Sequence, residues 1–345
     1  MANRVGLRCD GSPKMGVGHL IRSLALADGL LARGAEPVMM STITDLDWVE
    51  HQVRARGLPL VAPQDHPDAL ADQCRELELD AVVIDGYDID AGTGERLQGA
   101  GLRVLALVDG PFGQAQRADL YVDQNLGAVP RPNLPPGARM LTGLDYALFR
   151  DQVVAARHVS RAPSDSERPP RVLAVFGGTD PHAAATIVVP LLLETGAPVH
   201  VVAIAARQEI AAALDCLPCG PGQRVEVIQP VEDLAGLAAT CDAAVSAAGS
   251  SVWELLCIGV PSALVAVADN QEGGYRQVVA ENVAVPLGRL WELRERADAR
   301  AAAVAALRRL TGDAAHRASL RNRGMALLDG RGRERVADAL LRMLP

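Results

Sequence analysis

A chain of 345 residues is long enough for two domains with separate cores, and its 49% hydrophobic content suits helices packed on sheets. A net charge of -8 excludes general affinity for nucleic acid or an anionic membrane, and 3% aromatic residues exclude a stacking surface for single strands. Met1 to Arg4 lead straight into a strand pattern without the apolar core of a signal peptide, and no uninterrupted apolar stretch approaches about eighteen residues, so a cytoplasmic protein with no membrane partner is expected.

Val5, Leu7 and Cys9 read as the end of a buried strand, Gly11 to Gly18 as a turn, and Leu20, Ile21, Leu24, Ala27 and Leu31 as one face of a helix stopped by Arg33-Gly34. His19 falls in the first turn of that helix. The positive end of the helix dipole favours an uncharged ring there, able to accept a proton. With Asp10 closing the strand and Gly16 and Gly18 letting backbone approach a ligand, the stretch has the parts of a site that activates a nucleophile.

Pro37 to Ser41 reads as the second strand, followed by a mixed segment through Trp48 and Pro63 and a helix over Asp68 to Leu79. Ala81 to Ile84 is a buried strand ending in Asp85-Gly86-Tyr87. Thr93 to Gly101 suggests a helix, and strands over Val104 to Val108 and Leu120 to Val122 end in Asp109 and in Asp123-Gln124-Asn125. Such alternation implies right-handed crossovers and a parallel sheet, whose strand ends share one edge. Most of these aspartates are expected to cap helices or shape loops, with Asp10 the exception because it shares a turn with His19.

The polar, Pro/Ser-rich stretch 157–170 divides a first domain, 1–156, from a second, 171–345, whose last helix has room to pack back on the first. Val172 to Phe176 runs into Gly177-Gly178-Thr179-Asp180-Pro181, with proline at the expected first helical position. Strands follow over Val199 to Ile204, Val225 to Ile228 and Ala243 to Ser246. The last opens into Ala248-Gly249-Ser250-Ser251, with a helix beginning near Ser251, and its free N–H groups and two hydroxyls suit a pyrophosphate. Glu254, one turn in, is placed to accept from ribose hydroxyls. Asp269-Asn270-Gln271 lies past the strand Ala263 to Val267, and helices run from about Leu290 to a final one ending near Leu344.

Several chemistries fail on spacing. Ile21 stands where a dinucleotide fingerprint needs its third glycine, no GxxxxGK[ST] occurs, and Gly249-Ser250-Ser251 is no GxSxG elbow. Six cysteines suit reduced thiols, and Cys216-Leu217-Pro218-Cys219 has no second pair. No histidine and carboxylate cluster has metal-ligand spacing, so chemistry without metal or cofactor is expected.

The motifs Arg8-Cys9-Asp10, Gly16-Val17-Gly18-His19 with Arg22, Gly143 to Arg150, Phe176 to Asp180, Ala248 to Ser251 with Trp253-Glu254, and Ala268 to Gln271 together resemble the UDP-sugar hydrolases of pseudaminic acid biosynthesis and their spore-coat polysaccharide relatives. The resemblance implies two Rossmann-like α/β domains in a GT-B arrangement with an interdomain cleft, UDP held mainly by the second. It implies that His19 is a general base activating water, with Asp10 its neighbour and inversion at the anomeric carbon. Arg8, Gly16, Gly18, Tyr87, Gly178, Thr179, Gly249, Ser250, Ser251, Glu254, Asn270 and Gln271 would then contact the UDP-sugar. Asp85-Gly86-Tyr87 departs from the family's Asp-His-Tyr, which bears on the sugar. The alternatives are a GT-B glycosyltransferase, in which His19 deprotonates an acceptor hydroxyl, and a non-catalytic nucleotide-sugar binding protein.

Overall fold

The computed structural model describes residues 2–13, 15–109, 112–159 and 168–344. Lys14, Gly110 and the middle of the expected linker, 160–167, lie outside the described residues.

The chain forms two compact units, 1–150 with 330–345 and 151–329. In the first unit the elements run β1 (Arg4–Arg8), α1 (Gly18–Leu31), β2 (Glu36–Met40), α2 (Asp47–Ala55), β3 (Leu60–Val61), α3 (Pro67–Glu76), β4 (Ala81–Ile84), α4 (Thr93–Gly99), β5 (Arg103–Leu107), β6 (Leu120–Asp123) and β7 (Arg139–Thr142). Its sheet has the strand order β3-β2-β1-β4-β5-β6-β7, every pair parallel. The central strands are short apolar runs buried on both faces, as in β4, Ala-Val-Val-Ile; a parallel sheet covered by helices on each side demands this.

The second unit opens with α5 (Asp151–Arg157), then β8 (Arg171–Val175), α6 (Ala185–Glu194), β9 (Val199–Ile204), α7 (Gln208–Asp215), β10 (Gln223–Ile228), α8 (Leu234–Ala239), β11 (Ala243–Ala247), α9 (Ser251–Ile258), β12 (Ser262–Ala266), α10 (Glu272–Ala280), β13 (Val285–Arg289), α11 (Leu290–Glu295), α12 (Ala297–Gly312) and α13 (Ala314–Leu327). Its parallel sheet has the order β10-β9-β8-β11-β12-β13. The last helix, α14 (Gly332–Leu341), belongs to the first unit, where Val336, Ala337 and Leu340 join Leu24, Ala27 and Leu30 of α1 in one core.

The boundary therefore differs from the compositional one. Composition places residues 151–156, the body of α5, in the first domain, ahead of the Pro/Ser-rich stretch. It groups instead with the second unit, where Arg157 donates to the carbonyls of Cys257 (2.8 Å) and Met325 (2.9 Å).

Both sheets reverse their winding at one point, between β1 and β4 in the first and between β8 and β11 in the second. Beyond the carboxyl ends of strands flanking such a point lies the crevice where open α/β sheets bind ligands. The turn carrying His19 follows β1 and Asp85 follows β4. In the second unit the Gly177-Gly178-Thr179 turn follows β8 and the Ala248 to Ser251 turn follows β11.

Candidate active site

The Gly-rich turn after β1 is shaped by two glycines with different duties. Gly16 has φ +88°, a conformation that L side chains rarely adopt, and its N–H closes the turn on the Ser12 carbonyl at 2.8 Å. A Cβ on Gly11 would stand 2.3 Å from Leu20 Cδ1, so this position is glycine to admit the first core side chain of α1. Gly18 is the first residue of α1, Val17 precedes it without a side-chain cap, and His19 is buried in the first turn, 6% exposed.

The side chain that meets His19 is Asp85. Its Oδ1 lies 2.7 Å from His19 Nδ1, and the carboxylate is fully buried. Arg22, one helical turn after His19, donates through Nε to Asp85 Oδ2 at 2.5 Å and through Nη2 to Oδ1. Burial on its own would raise the Asp85 pKa, but the Arg22 charge and hydrogen bonds, with His19 beside them, outweigh it and hold the carboxyl below its ordinary range. Burial likewise opposes the Arg22 charge, and the field of Asp85 overcomes it, so the guanidinium keeps its proton more tightly than usual.

Around this trio stands a second layer. Tyr87, half exposed, sets its ring edge against His19 with centroids 4.8 Å apart, and Phe112 lies 5.7 Å from Tyr87 and 6.4 Å from His19. The Tyr87 hydroxyl donates to Asp109 at 3.0 Å; burial of part of the ring and the Asp109 charge push the phenol up to about 12. Asp109 lies 3.7 Å from Arg22 Nη1. Asp123, at the end of β6, is raised above its ordinary range by burial and by Asp109, against the hydrogen bonds from Asn125.

Asp10, expected beside His19, is engaged elsewhere. It accepts from the Thr42 N–H at 2.8 Å and pairs with buried Arg8, whose Nη1 lies 2.7 Å from its Oδ1. These bonds hold the end of β1 to the segment after β2. Sharing a turn in sequence did not make Asp10 the partner of His19. Asp85, sixty-six residues away, takes that place because β4 is the spatial neighbour of β1: the register ends at Arg8 opposite Ile84, and Asp85 N–H bonds to the Arg8 carbonyl at 2.9 Å.

In the second unit, the Val252 and Trp253 N–H groups bond back to the carbonyls of Gly249 and Ser250, which leaves those of Gly249, Ser250 and Ser251 at the open end of α9. Ser250 stands at the N-cap without a side-chain cap bond. Glu254 lies in the first turn. Gln271 accepts from Val267 N–H at 3.1 Å, and its Nε2 lies 3.5 Å from where a Cβ on Gly249 would be, so two of the sequence motifs meet here. Asn270 is exposed beside it. Gly178 and Thr179 occupy the turn after β8, which follows Gly177 at φ +83°. The helix expected at Pro181 starts instead at Ala185, because buried Asp180 accepts from the Ala184 and Ala185 N–H groups at 2.8 and 2.9 Å. Among the described residues no group of His, Cys, Asp and Glu is arranged to hold a metal ion, and no helix is long and apolar enough to cross a membrane.

No family model matches the chain. It is 25% identical to the spore coat polysaccharide biosynthesis protein SpsG of Bacillus subtilis (strain 168), over 97% of each chain. Among solved structures it resembles MurG of Acinetobacter baumannii, with a TM-score of 0.73 at 16% identity, covering 99% of this chain and 100% of that one. It also resembles the calicheamicin glycosyltransferase CalG4, with a TM-score of 0.65 at 18% identity over the whole of both chains. The fold is thus two parallel-sheet Rossmann-like α/β domains, as in GT-B glycosyltransferases. Two expectations need correction. A spinosyn rhamnosyltransferase also matches over 99% of each chain, at 15% identity and a TM-score of 0.62, and these whole-chain likenesses to glycosyltransferases overturn the UDP-sugar hydrolase. The assignment to pseudaminic acid biosynthesis is likewise unsupported; homology to the spore-coat polysaccharide protein is what stands.

Proposed function

We propose that the chain is a glycosyltransferase that takes a sugar from a UDP-sugar donor to a hydroxyl of a carbohydrate acceptor. His19 Nε2 removes the acceptor proton as the acceptor oxygen bonds to the anomeric carbon. The bond from that carbon to the phosphate oxygen breaks on the opposite face, and UDP leaves with the electron pair, giving inversion. Asp85 orients the imidazole. The N–H groups and hydroxyls opening α9 take the developing charge on the pyrophosphate, as a helix start does for anions, and Glu254 receives the ribose hydroxyls. Arg8, Gly16, Gly18 and Tyr87 are the proposed ligand contacts of the first unit, and Gly178, Thr179, Asn270 and Gln271 those of the second. A carbohydrate acceptor accords with the polysaccharide biosynthesis for which the Bacillus subtilis relative is named.

The observation that carries this reading is a buried histidine with one ring nitrogen on an ionised aspartate, at the winding reversal of its sheet. Simple binding of a nucleotide-sugar needs no such pair. The test follows UDP release by NMR from a panel of UDP-sugars, with and without glycan acceptors. Release that depends on acceptor, together with a loss on the order of 10²–10⁴-fold in His19→Ala, is expected. Full turnover in that variant, or binding without turnover across the panel, would remove the proposal.

A further inference from the structure

Asp85 Oδ1 receives two groups at once, His19 Nδ1 at 2.7 Å and Arg22 Nη2, while Arg22 Nε takes Oδ2 at 2.5 Å. Nη2 and Nδ1 are themselves 2.9 Å apart. A guanidinium has donors only, so both Asp85 oxygens accept from it, and a cation bonded to both favours the carboxyl without its proton. A ring nitrogen 2.7 Å from such an oxygen has to carry the hydrogen, since lone pair against lone pair at that distance is repulsive. The hydrogen therefore sits on Nδ1 and the lone pair on Nε2.

We infer that Arg22 is a positioning residue that selects which nitrogen of His19 serves as the base, by keeping Asp85 ionised. Asp85 has no exposed surface, and without a cation against it burial favours the protonated carboxyl. That O–H would then donate to Nδ1, and the ring hydrogen would move to Nε2, where no base remains. The other groups around the ring do not replace Arg22. Tyr87 and Phe112 offer it ring edges, Asp109 is anionic and held by the Tyr87 hydroxyl, and Asp123 at the end of β6 adds a further carboxyl to the field of Arg22. Among the described residues, Arg22 is the cation bonded to Asp85.

The role of Nε2 as base rests on the proposed transferase reading, so the test reads the tautomer directly. Long-range ¹H–¹⁵N correlation spectra of ¹⁵N-histidine-labelled full-length protein at neutral pH, with the His19 signals identified by their loss in His19→Gln, are expected to show Nδ1 protonated and Nε2 bare. In Arg22→Gln, Nε2 is expected to gain the hydrogen and kcat to fall on the order of 10²-fold or more, with the donor KM within about twofold. Arg22→Lys, which keeps the charge, is expected to retain the native tautomer. A folded Arg22→Gln protein with bare Nε2, or an Arg22→Lys protein with a protonated one, overturns the inference. If the first variant fails to fold, the second decides. Absence of any transfer by the unaltered protein would instead defeat the proposed function and leave the tautomer result standing.

Discussion

Asp85 carries two obligations, one to a base and one to a cation, and both can be measured. Its replacement by asparagine leaves Arg22 one neutral acceptor and, 3.7 Å away, the charge of Asp109 in place of two bonds to a carboxylate. Removing one partner of a buried ion pair costs about 3–5 kcal/mol, and the low end is expected here because Asp109 remains; urea unfolding of Asp85→Asn measures it. The carboxyl is held below its ordinary range in the fold, so the stability it supplies is complete above the unfolded-state value of about 3.9 and is lost as pH falls through the lower folded value. Urea midpoints of the unaltered protein are thus expected to fall more steeply than those of Asp85→Asn below about pH 4. Equal slopes would show that the group titrates alike in both states. His19 was legible in the sequence because glycines and a helix start announce it locally. Asp85 was not, because its importance comes from strand order, and nothing in Ala81 to Tyr87 says that β4 pairs with β1. Arg22 could have been found by spacing, lying three residues after His19 on the same helical face.

At the scale of elements, strands buried on both faces announced themselves as short apolar runs, whereas the two rim strands of the first sheet did not. β3 is two residues long, and β7, Arg-Met-Leu-Thr, has no fully buried residue. α2 was hidden because it is short and polar: only Val49 and Val53 of its nine residues are buried. The start of α9 gives a separable expectation. Loss of a serine N-cap ordinarily costs about 0.5–2 kcal/mol of stability, but Ser250 makes no side-chain cap bond. Ser250→Ala and Ser251→Ala are therefore expected to leave the melting temperature nearly unchanged. Calorimetry should nonetheless show UDP affinity weakened about five-fold each, the worth of roughly one hydrogen bond. Lowered stability with unchanged affinity would make these hydroxyls structural. Gly11→Ala is the opposite case: its Cβ would press on Leu20, and a loss of about 1–3 kcal/mol is expected in chemical unfolding.

At the scale of the molecule, the first unit is closed by residues 330–345. α14 seals the core over α1, tied by the Arg33–Asp338 ion pair and by Gly332, where a Cβ would meet the Ala147 carbonyl at 2.2 Å and its nitrogen at 2.5 Å. The clash is with backbone and cannot be relieved by a rotamer. Gly332→Ala is expected to lower the thermal transition of the first unit while the second unfolds as before, read by hydrogen exchange of β1 and β4 against β8 and β11. Uniform loss of protection across both sheets would contradict the division. Composition located a break between the halves and left room for the last helix to pack back, but did not mark where the chain returns, because a polar linker marks one crossing and the second, between Asp329 and Gly330, has no such signature.

The return of α14 has a consequence for birth on the ribosome. Synthesis runs from the amino end, yet the half made first lacks its closing piece until Gly332 to Leu341 have been made, while the half made second is contiguous and complete before then. The nascent N-terminal sheet must wait with the apolar side of α1 uncovered, so a chain stopped ahead of Gly332 should be a product that chaperones retain.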